Sequence, residues 1–501
     1  MRSEAVMQKD ILLYMSDQHS FRMQGYAGNG VVRTPSLDRI AAAGTSFSRA
    51  YTACPLCVPA RASMISGLLP SNNGVLFNFN SINSDQATFL HSLTAGGYET
   101  VLCGRMHFVG PDQRHGYAER IAGDRTPVFH NFLPGKTQTG KPKITGFDEN
   151  SSLYYIGSGD SPVLAYDRYV VEHAVSWLGQ DHDRPFFLTV GTYGPHFPYV
   201  APQELYDYYY PRVGLDDVSD DYPDHPVFAG KMCETDPDTA RAARAAYYGL
   251  VEQQDRHIGT VFELFQKYLE RTGHEGIFIY VSDHGDMNGS RGFYGKQVFY
   301  DPSSRIPFLI QGSGIPENFH IDTPVSLLDA GKTICALAGT QILEGDGKDL
   351  TPLLDKQIQE PDRIVIGEQY TYLSDGRTSL GRMAVWKNWK YFGYSGFPDD
   401  DVLYDIDKDP DERENRIADC PEIADRLKNE TEKYKTYEEV MIHEKWLMKQ
   451  LRVLMKCDYD NTAERWVCPP ELPVLKNPIK RKTPFTPTPW VSVLRSKLEE
   501  K

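Results

Sequence analysis

The chain has 501 residues, 40% hydrophobic and 24% charged, with 68 Asp and Glu against 53 Lys and Arg for a formal net charge of −15. This is the composition of an ordinary globular protein, long enough for one large domain with an appendage or for two to three domains. The acidic balance argues against a general nucleic-acid or anionic-membrane surface, so an anionic substrate needs a locally positive pocket inside a negative shell.

Met1 to Asp10 is polar and charged, and the first apolar run is too short for the core of a signal peptide. No stretch reaches the ~18 apolar residues of a membrane span. The expectation is a cytoplasmic protein with neither a membrane nor a nucleic-acid partner. Ile11 to Met15 is a continuous apolar run that reads as a parallel strand buried on both faces, and its C-terminal end presents Asp17 and Gln18. Thr34-Pro35-Ser36-Leu37-Asp38 starts a helix that stops at Gly44. The next helix opens at Cys57-Val58-Pro59-Ala60-Arg61, where Pro59 suits the first helical position, and ends at Gly67. Thr88 to Ala95 is a helix closed by Gly96-Gly97, and Tyr98 to Cys103 is a second strand ending in Gly104-Arg105-Met106-His107.

Residues 111 to 165 hold many Gly, Pro, Asp and Arg residues with little periodicity, as in functional walls and lids. Tyr166 to Leu178 is an amphipathic helix, and Phe186 to Val190 is a third strand that leaves through Gly194-Pro195-His196-Phe197-Pro198-Tyr199. A second irregular insertion runs to about Asp238, after which Thr239 to Thr272 reads as helix on both sides of a bend. Ile277 to Val281 is the fourth strand, ending in Ser282-Asp283-His284-Gly285-Asp286, and Ile306 to Ile310 is the fifth. Strands alternating with helices give an α/β fold on a large, mostly parallel sheet sandwiched by helices. From Arg363 the pattern changes. Glu368 to Tyr372, Met383 to Trp386 and Trp389 to Tyr394 alternate like a small antiparallel sheet, and charged helices follow from Pro421 and from Val440 to Met455. The division expected is a catalytic body over residues 1–362, a smaller C-terminal α+β unit over 363–440, and a helical and Pro-rich tail over 441–501 that suits a homo-oligomerisation arm.

In such sheets ligands bind beyond the carboxyl ends of the strands. Here those ends deliver Asp17, Arg105 with His107, His196, and Asp283 with His284 to one edge. Asp17, Gln18, Asp283 and His284 are hard oxygen donors plus one imidazole, which suits Ca2+, Mg2+ or Mn2+ better than structural zinc. One acid after a strand is more often a helix cap; two strand-Ser-Asp ends, one followed by His-Gly, favour a site. Cys57 sits at a helix N-terminus with Arg61 about one turn on, where the dipole and the guanidinium lower a thiol pKa, so it is placed as a nucleophile or an anion-binding group. Cys54-Pro55-Leu56-Cys57 is also a C-x-x-C, but disulfide exchange fits a small thioredoxin-like domain rather than a chain of this length. The eight cysteines are scattered and form no disulfide framework.

The run Thr52 to Leu69, with C-x-P-x-R ahead of a small-residue helix and S-G-L, resembles the signature of type I sulfatases of the alkaline phosphatase superfamily. The resemblance extends from about Ile11 to Leu427. It implies an alkaline-phosphatase-like fold, conversion of Cys57 to formylglycine by a maturase, and one divalent cation. Ca2+ is the first choice, with Mg2+ or Mn2+ as alternatives, held by Asp17, Gln18, Asp283, His284 and the modified Cys57. Gln18 stands where many members have a second Asp. Gly104-Arg105-Met106-His107 resembles the family's G-K-x-H, with Arg105 in place of the usual lysine, and Arg and Lys are not interchangeable. Pro195-His196-Phe197-Pro198 resembles P-H-x-P, Gly295-Lys296 matches the second active-site lysine, and Leu403-Tyr404-Asp405 with Asp409-Pro410 is similar to the C-terminal subdomain.

The chemistry implied is substitution at sulfur by a hydroxyl of the hydrated aldehyde at position 57, with Asp283 taking its proton. Arg61, Arg105, Lys296 and the metal hold the equatorial oxygens. His196 or Lys296 protonates the leaving alcohol, and His107 takes a proton from the remaining hydroxyl to return the aldehyde. The substrate expected is a sulfate ester of a small molecule or carbohydrate; the alternative is a phosphodiesterase or phosphonate monoester hydrolase on the same scaffold. A binding protein with a dead site is disfavoured because no proposed catalytic position is apolar. Gly104 to Gln113 looks much like choline sulfatases, whereas Phe197 replaces an acid of that branch. Asn78, Asp112, His115 and Tyr199 are candidates for the substrate wall, and the 111–165 and 200–238 insertions can supply either an aromatic cage or hydrogen-bonding loops.

Overall fold

The computed structural model of the chain describes residues 9–124, 153, 155–218, 225–229, 232–233, 235–454 and 478–480. Its centre is β1 (Asp10–Asp17), buried at every residue. The pleat sends alternate side chains to opposite faces. Ile11, Leu13 and Met15 pack with α2 (Cys57–Ser66), α3 (Phe89–Ala95) and α6 (Asp329–Ala338). Leu12 and Tyr14 pack on the other side with α1 (Pro35–Ala42), α4 (Pro162–Leu178) and α5 (Pro237–Thr272). Because both faces are covered, the strand reads as a run of apolar residues rather than an alternation.

The other strands of this sheet are β2 (Thr45–Phe47), β3 (Glu99–Gly104), β4 (Glu119–Ala122), β5 (Phe186–Pro195), β6 (Gly276–Ser282), β7 (Phe308–Gly312) and β8 (Phe319–Ile321). They lie in the order β8-β2-β7-β6-β1-β5-β3-β4. β1 pairs in parallel with β5 and β6, and β3 in parallel with β4 and β5. β7 runs antiparallel to both of its neighbours. The doubly covered, mostly parallel sheet is therefore as expected, and its central strands β6, β1, β5 and β3 end side by side at the edge where the chemistry gathers.

Three expectations need correction. The stretch from Thr239 is one uninterrupted helix of 36 residues, capped by Asp236, whose side chain accepts from the Thr239 N–H at 2.9 Å. Gly249 within it marks no bend: a Cβ there would meet the Ala201 side chain at 2.7 Å, so it is a close-packing residue. The third strand continues beyond Val190 to Pro195, which carries the sheet directly to His196. The segment read as irregular from 111 to 165 includes β4 and a strand at Tyr155–Ser158, while residues 125–152 and 154 lie outside the described ones. Of the Pro-rich tail, Pro478–Lys480 is described and pairs antiparallel with Tyr155–Ser158.

A separate antiparallel sheet follows: β9 (Ile364–Tyr372), β10 (Thr378–Trp386), β11 (Trp389–Tyr394) and β12 (Val402–Asp405), paired in sequence. α7 (Pro421–Thr431) and α8 (Tyr437–Leu454) cover it. The sheet is tied to the catalytic body by a fully buried ion cluster. Lys390 on β11 reaches Asp301 at 2.6 Å and also contacts the Glu412 carboxylate, while Arg305 holds the other Asp301 oxygen at 3.1 Å. Burial alone would raise the Asp301 carboxyl, but Lys390 and Arg305 outweigh it and keep it ionised. Removing one partner from such a group strands the others in low dielectric. Lys390→Met is accordingly expected to lower unfolding free energy by about 3–5 kcal/mol, read as a shift of the urea midpoint.

Candidate active site

Cys57 opens α2 after Leu56 in extended conformation (φ −153°, ψ 132°), and the helix closes at Gly67 in the left-handed region (φ +69°). Asn78 Oδ1 accepts from the Val58 N–H at 3.0 Å, satisfying one of the open donors of the first turn. The loop before Cys57 is clamped from two directions. Glu368 of β9 donates its N–H to the Ala53 carbonyl at 2.8 Å, and Gln297 donates its N–H to the Pro55 carbonyl at 3.1 Å. The thiol is thereby buried, 3.1 Å from Lys296 Nζ, 3.2 Å from His284 Nε2 and 3.8 Å from Asp17 Oδ1.

Asp17, Cys57, Asp283 and His284 are all buried and offer ligand atoms within 4.8 Å of one another. The His284 Nδ1 proton is donated to the Gly285 carbonyl at 3.0 Å, which leaves Nε2 as a lone pair. That lone pair faces Asp283 Oδ2 at 3.7 Å and Asp17 Oδ1 at 3.9 Å. Burial pushes the His284 pKa down to about 4, so the ring is neutral, the form that ligates metals. Converging lone pairs from two carboxylates and a neutral imidazole fit a divalent cation, and the absence of a second thiolate fits a hard one. Gln18 sits beside this set with its amide oriented on both ends. Nε2 donates to Asp286 Oδ2 at 2.5 Å and Oε1 accepts from Lys296 Nζ at 2.7 Å.

Two guanidiniums are fully buried against these acids. Arg61 spans both, with Nε 2.8 Å from Asp283 Oδ2 and Nη2 3.1 Å from Asp17 Oδ2, and also donates to the Arg105 carbonyl at 3.1 Å. Arg105 places Nε 2.6 Å from the same Asp17 oxygen and lies over the Tyr193 ring at 4.3 Å. Burial opposes ionisation of Asp17, but Arg105, Lys296 and Arg61 together hold its carboxyl well below the usual range. Arg105 is delivered by Gly104, which admits no side chain: its φ is +93°, and a Cβ there would stand 2.3 Å from the Gly191 carbonyl oxygen. The Arg105 Nη2 donates to His107 Nδ1 at 2.8 Å.

His107 and His196 are both kept neutral, the first by burial and Arg105, the second by burial and Lys296. His196 follows a backbone held by Asp167, which accepts from the Tyr193 and Gly194 N–H groups at 2.6 and 2.9 Å. The structure thus brings Asp17, Gln18, Cys57, Arg61, Arg105, His107, His196, Asp283, His284 and Lys296 together.

The family models now bear on this geometry. A sulfatase model matches residues 9–340, and a model of the C-terminal part of N-sulphoglucosamine sulphohydrolase matches residues 289–437. The chain belongs to the sulfatase family. This sulfatase is 30% identical to a choline-sulfatase of Rhizobium meliloti over 82% of its own length and 83% of the relative's. It is 27% identical to arylsulfatase K of Bos taurus over 83% of its length and 80% of the relative's. Among solved structures it resembles the phosphonate monoester hydrolase of Agrobacterium radiobacter, with TM-score 0.66 at 20% identity over 95% of this chain and all of that one. It also resembles BT4656, solved with its substrate D-glucosamine-2-N,6-O-disulfate, with TM-score 0.66 at 19% identity over 87% and 98% of the two chains. The protein is a sulfuric ester hydrolase on an alkaline-phosphatase-like fold.

The wall candidates of this sulfatase are each held by local contacts. Besides Asn78 on the Val58 N–H, Asp112 Oδ1 accepts from the Arg114 and His115 N–H groups, each at 3.1 Å, and its other oxygen lies 3.3 Å from the His115 ring. Tyr199 is fully buried and donates to both Asp286 oxygens at 2.8 and 2.9 Å. Asp286 and Asp124 are site residues that sequence reasoning alone does not single out. Asp286 belongs to the same S-D-H-G-D turn as Asp283 and fixes Gln18, whereas Asp124 lies in the segment read as irregular. Asp124 holds Arg105 Nη1 at 3.2 Å and the His107 N–H at 2.9 Å, so it sets the arrangement of both. Asp124→Asn should lower kcat/KM on an aryl sulfate by about 100-fold, with circular dichroism showing the fold retained.

Proposed function

We propose that the protein hydrolyses the sulfate ester of a small molecule or carbohydrate to the alcohol and inorganic sulfate, using a formylglycine made from Cys57 by a maturase. The observation that carries this reading is the position of the Cys57 side chain, at the focus of Arg61, Arg105, Lys296 and His284 at the head of α2. When bound at Asp17, Gln18, Asp283, His284 and position 57, a divalent cation, Ca2+ by the hardness of the donors, supplies Lewis acidity toward a sulfate oxygen. Formylglycine at position 57 supplies a hydrated aldehyde whose hydroxyl is the nucleophile.

The chain's own residues supply the rest. Asp283, which meets one guanidinium where Asp17 meets two, accepts the proton of the attacking hydroxyl. Lys296 and Arg105 hold the sulfate oxygens on which charge develops, and the low dielectric of the buried site strengthens each contact. His196 orients the leaving oxygen, and Lys296 gives it a proton. His107, close to position 57, is the residue placed to take a proton from the group held there, once Arg105 turns its Nη2 donor to a sulfate oxygen and frees His107 Nδ1. Three cations (Arg61, Arg105, Lys296) face four acids (Asp17, Asp124, Asp283, Asp286), so the protein's own side chains do not make the site positive. A bound divalent cation would leave the site positive, as an anionic ester requires.

Sulfate is preferred to phosphonate because the relatives that place the chain in its family are named sulfatases, whereas the phosphonate monoester hydrolases resemble it in fold. Fragment masses of the Cys57 peptide, from protein made with a maturase, should show CHO in place of CH2SH; an unmodified thiol in fully active protein would refute the mechanism. Treatment with a chelator should abolish aryl sulfate turnover and added Ca2+ should restore it. Asp283→Asn should reduce bound metal measured by elemental analysis. Under one metal, the initial rate on an aryl sulfate should exceed that on an aryl phosphonate; the reverse order would move the assignment to the phosphonate hydrolases.

A further inference from the structure

α8 is apolar on two opposite sides. Val440, Met448 and Leu451, with the Glu444 stem between them, pack onto Phe77, Phe79, Tyr370, Tyr372 and Leu380. Glu444 accepts from the Tyr372 hydroxyl at 2.6 Å and so satisfies the polar end of that buried face. On the opposite side Ile442 is 69% exposed and Trp446, one turn on, 55% exposed. A helix that is apolar all round is normally covered all round, and Trp446 is the kind of large aromatic that anchors a small interface.

The charges beside this stripe fit a particular occupant. Glu438 and Glu439 lie at the N-terminal end of the helix, and Lys445 and Lys449 follow toward its C-terminal end. By helical spacing Glu438 and Lys449 fall on the same flank of the stripe. In an antiparallel pair of identical helices the same flank of each meets across the two-fold axis. Ile442 of one helix then lies beside Trp446 of the other, and Glu438 of one beside Lys449 of the other. Parallel pairing would bring opposite flanks together, setting Glu438 beside Glu439 and giving Lys449 no acid to meet. Antiparallel pairing also opposes the helix dipoles favourably. The surface is thus complementary to itself, the property that an isologous dimer contact requires.

We propose that the outer face of α8 is a self-association surface on which a second copy of this chain docks its own α8, antiparallel, about a two-fold axis. The contact is built by the helix itself. It lies on the side of α8 away from the catalytic body, so pairing leaves the active site as it is.

Sedimentation of the full-length protein across micromolar concentrations should show a species of twice 56.7 kDa in reversible exchange with the monomer. Trp446→Glu should abolish it, with melting temperature and sulfatase turnover unchanged, and Ile442→Glu should do the same should Trp446→Glu alone prove unstable. Glu438→Lys and Lys449→Glu should each weaken association several-fold, and the two changes together in one chain should recover it. A monomer at every concentration would overturn the proposal, as expected were the stripe covered by the chain's own residues beyond 454. A dimer that both apolar substitutions leave intact would overturn it too, because assembly would then use another surface.

Discussion

The structure depends on Arg61. One buried guanidinium joins Asp17 at the end of β1 to Asp283 at the end of β6 and donates a third bond to the Arg105 carbonyl at the end of β3. Two carboxylates this close repel unless a cation lies between them, and a charge taken out of water is tolerable only with its hydrogen bonds filled. Arg61 meets both requirements, and its planar fork does so in a way that a lysine would not. It projects from α2 one turn after Cys57. The same helix therefore positions Cys57 and locks the acids that surround it.

The sheet explains why these groups meet at all. β6, β1, β5 and β3 are adjacent and parallel, so their carboxyl ends lie in a row although they are far apart in sequence. Each end contributes a different chemistry: acid and imidazole from β6, acid and amide from β1, a histidine turn from β5, guanidinium and imidazole from β3. Behind that row, a set of acids fixes the working groups. Asp286 orients Gln18, Asp124 holds Arg105 and His107, and Asp167 holds the backbone ahead of His196. These supporting contacts determine which atom of each polar side chain faces the reaction.

Much of this is legible in the residues. Ile11 to Met15 and Ile277 to Val281 announce themselves as doubly buried strands, and the acids after them have one natural meeting place. Cys57 is legible from Pro59 and Arg61, as is the antiparallel character of the C-terminal runs. The functions of Asp124 and Asp167 are not, because a buried acid that accepts backbone N–H groups has no sequence pattern of its own. Asn78 and Tyr199 illustrate the converse. Both lie near α2 or the loops around it, with Asn78 Oδ1 engaged on a helix N–H and the Tyr199 hydroxyl on Asp286. Nearness in sequence to a motif does not reveal which way a side chain turns. The continuous helix from Pro237 is obscured by Gly249, whose role is close contact rather than flexibility.

The clamp that β9 places on the catalytic loops has a consequence for how this molecule is partitioned. Glu368 and Gln369 are neighbours on one strand, yet the first binds the Ala53 carbonyl in the loop before Cys57 and the second donates its side chain to the Gln297 carbonyl beside Lys296. Glu368 further accepts from the Ser71 N–H beyond the end of α2 and is itself held by Arg382. The smaller sheet is thus a wall of the reaction chamber, although it looks like an appended module. A shortened chain ending before it would keep every reactive side chain and lose the brace that aligns two of them, so the minimal enzyme is the pair of sheets and not the larger one alone.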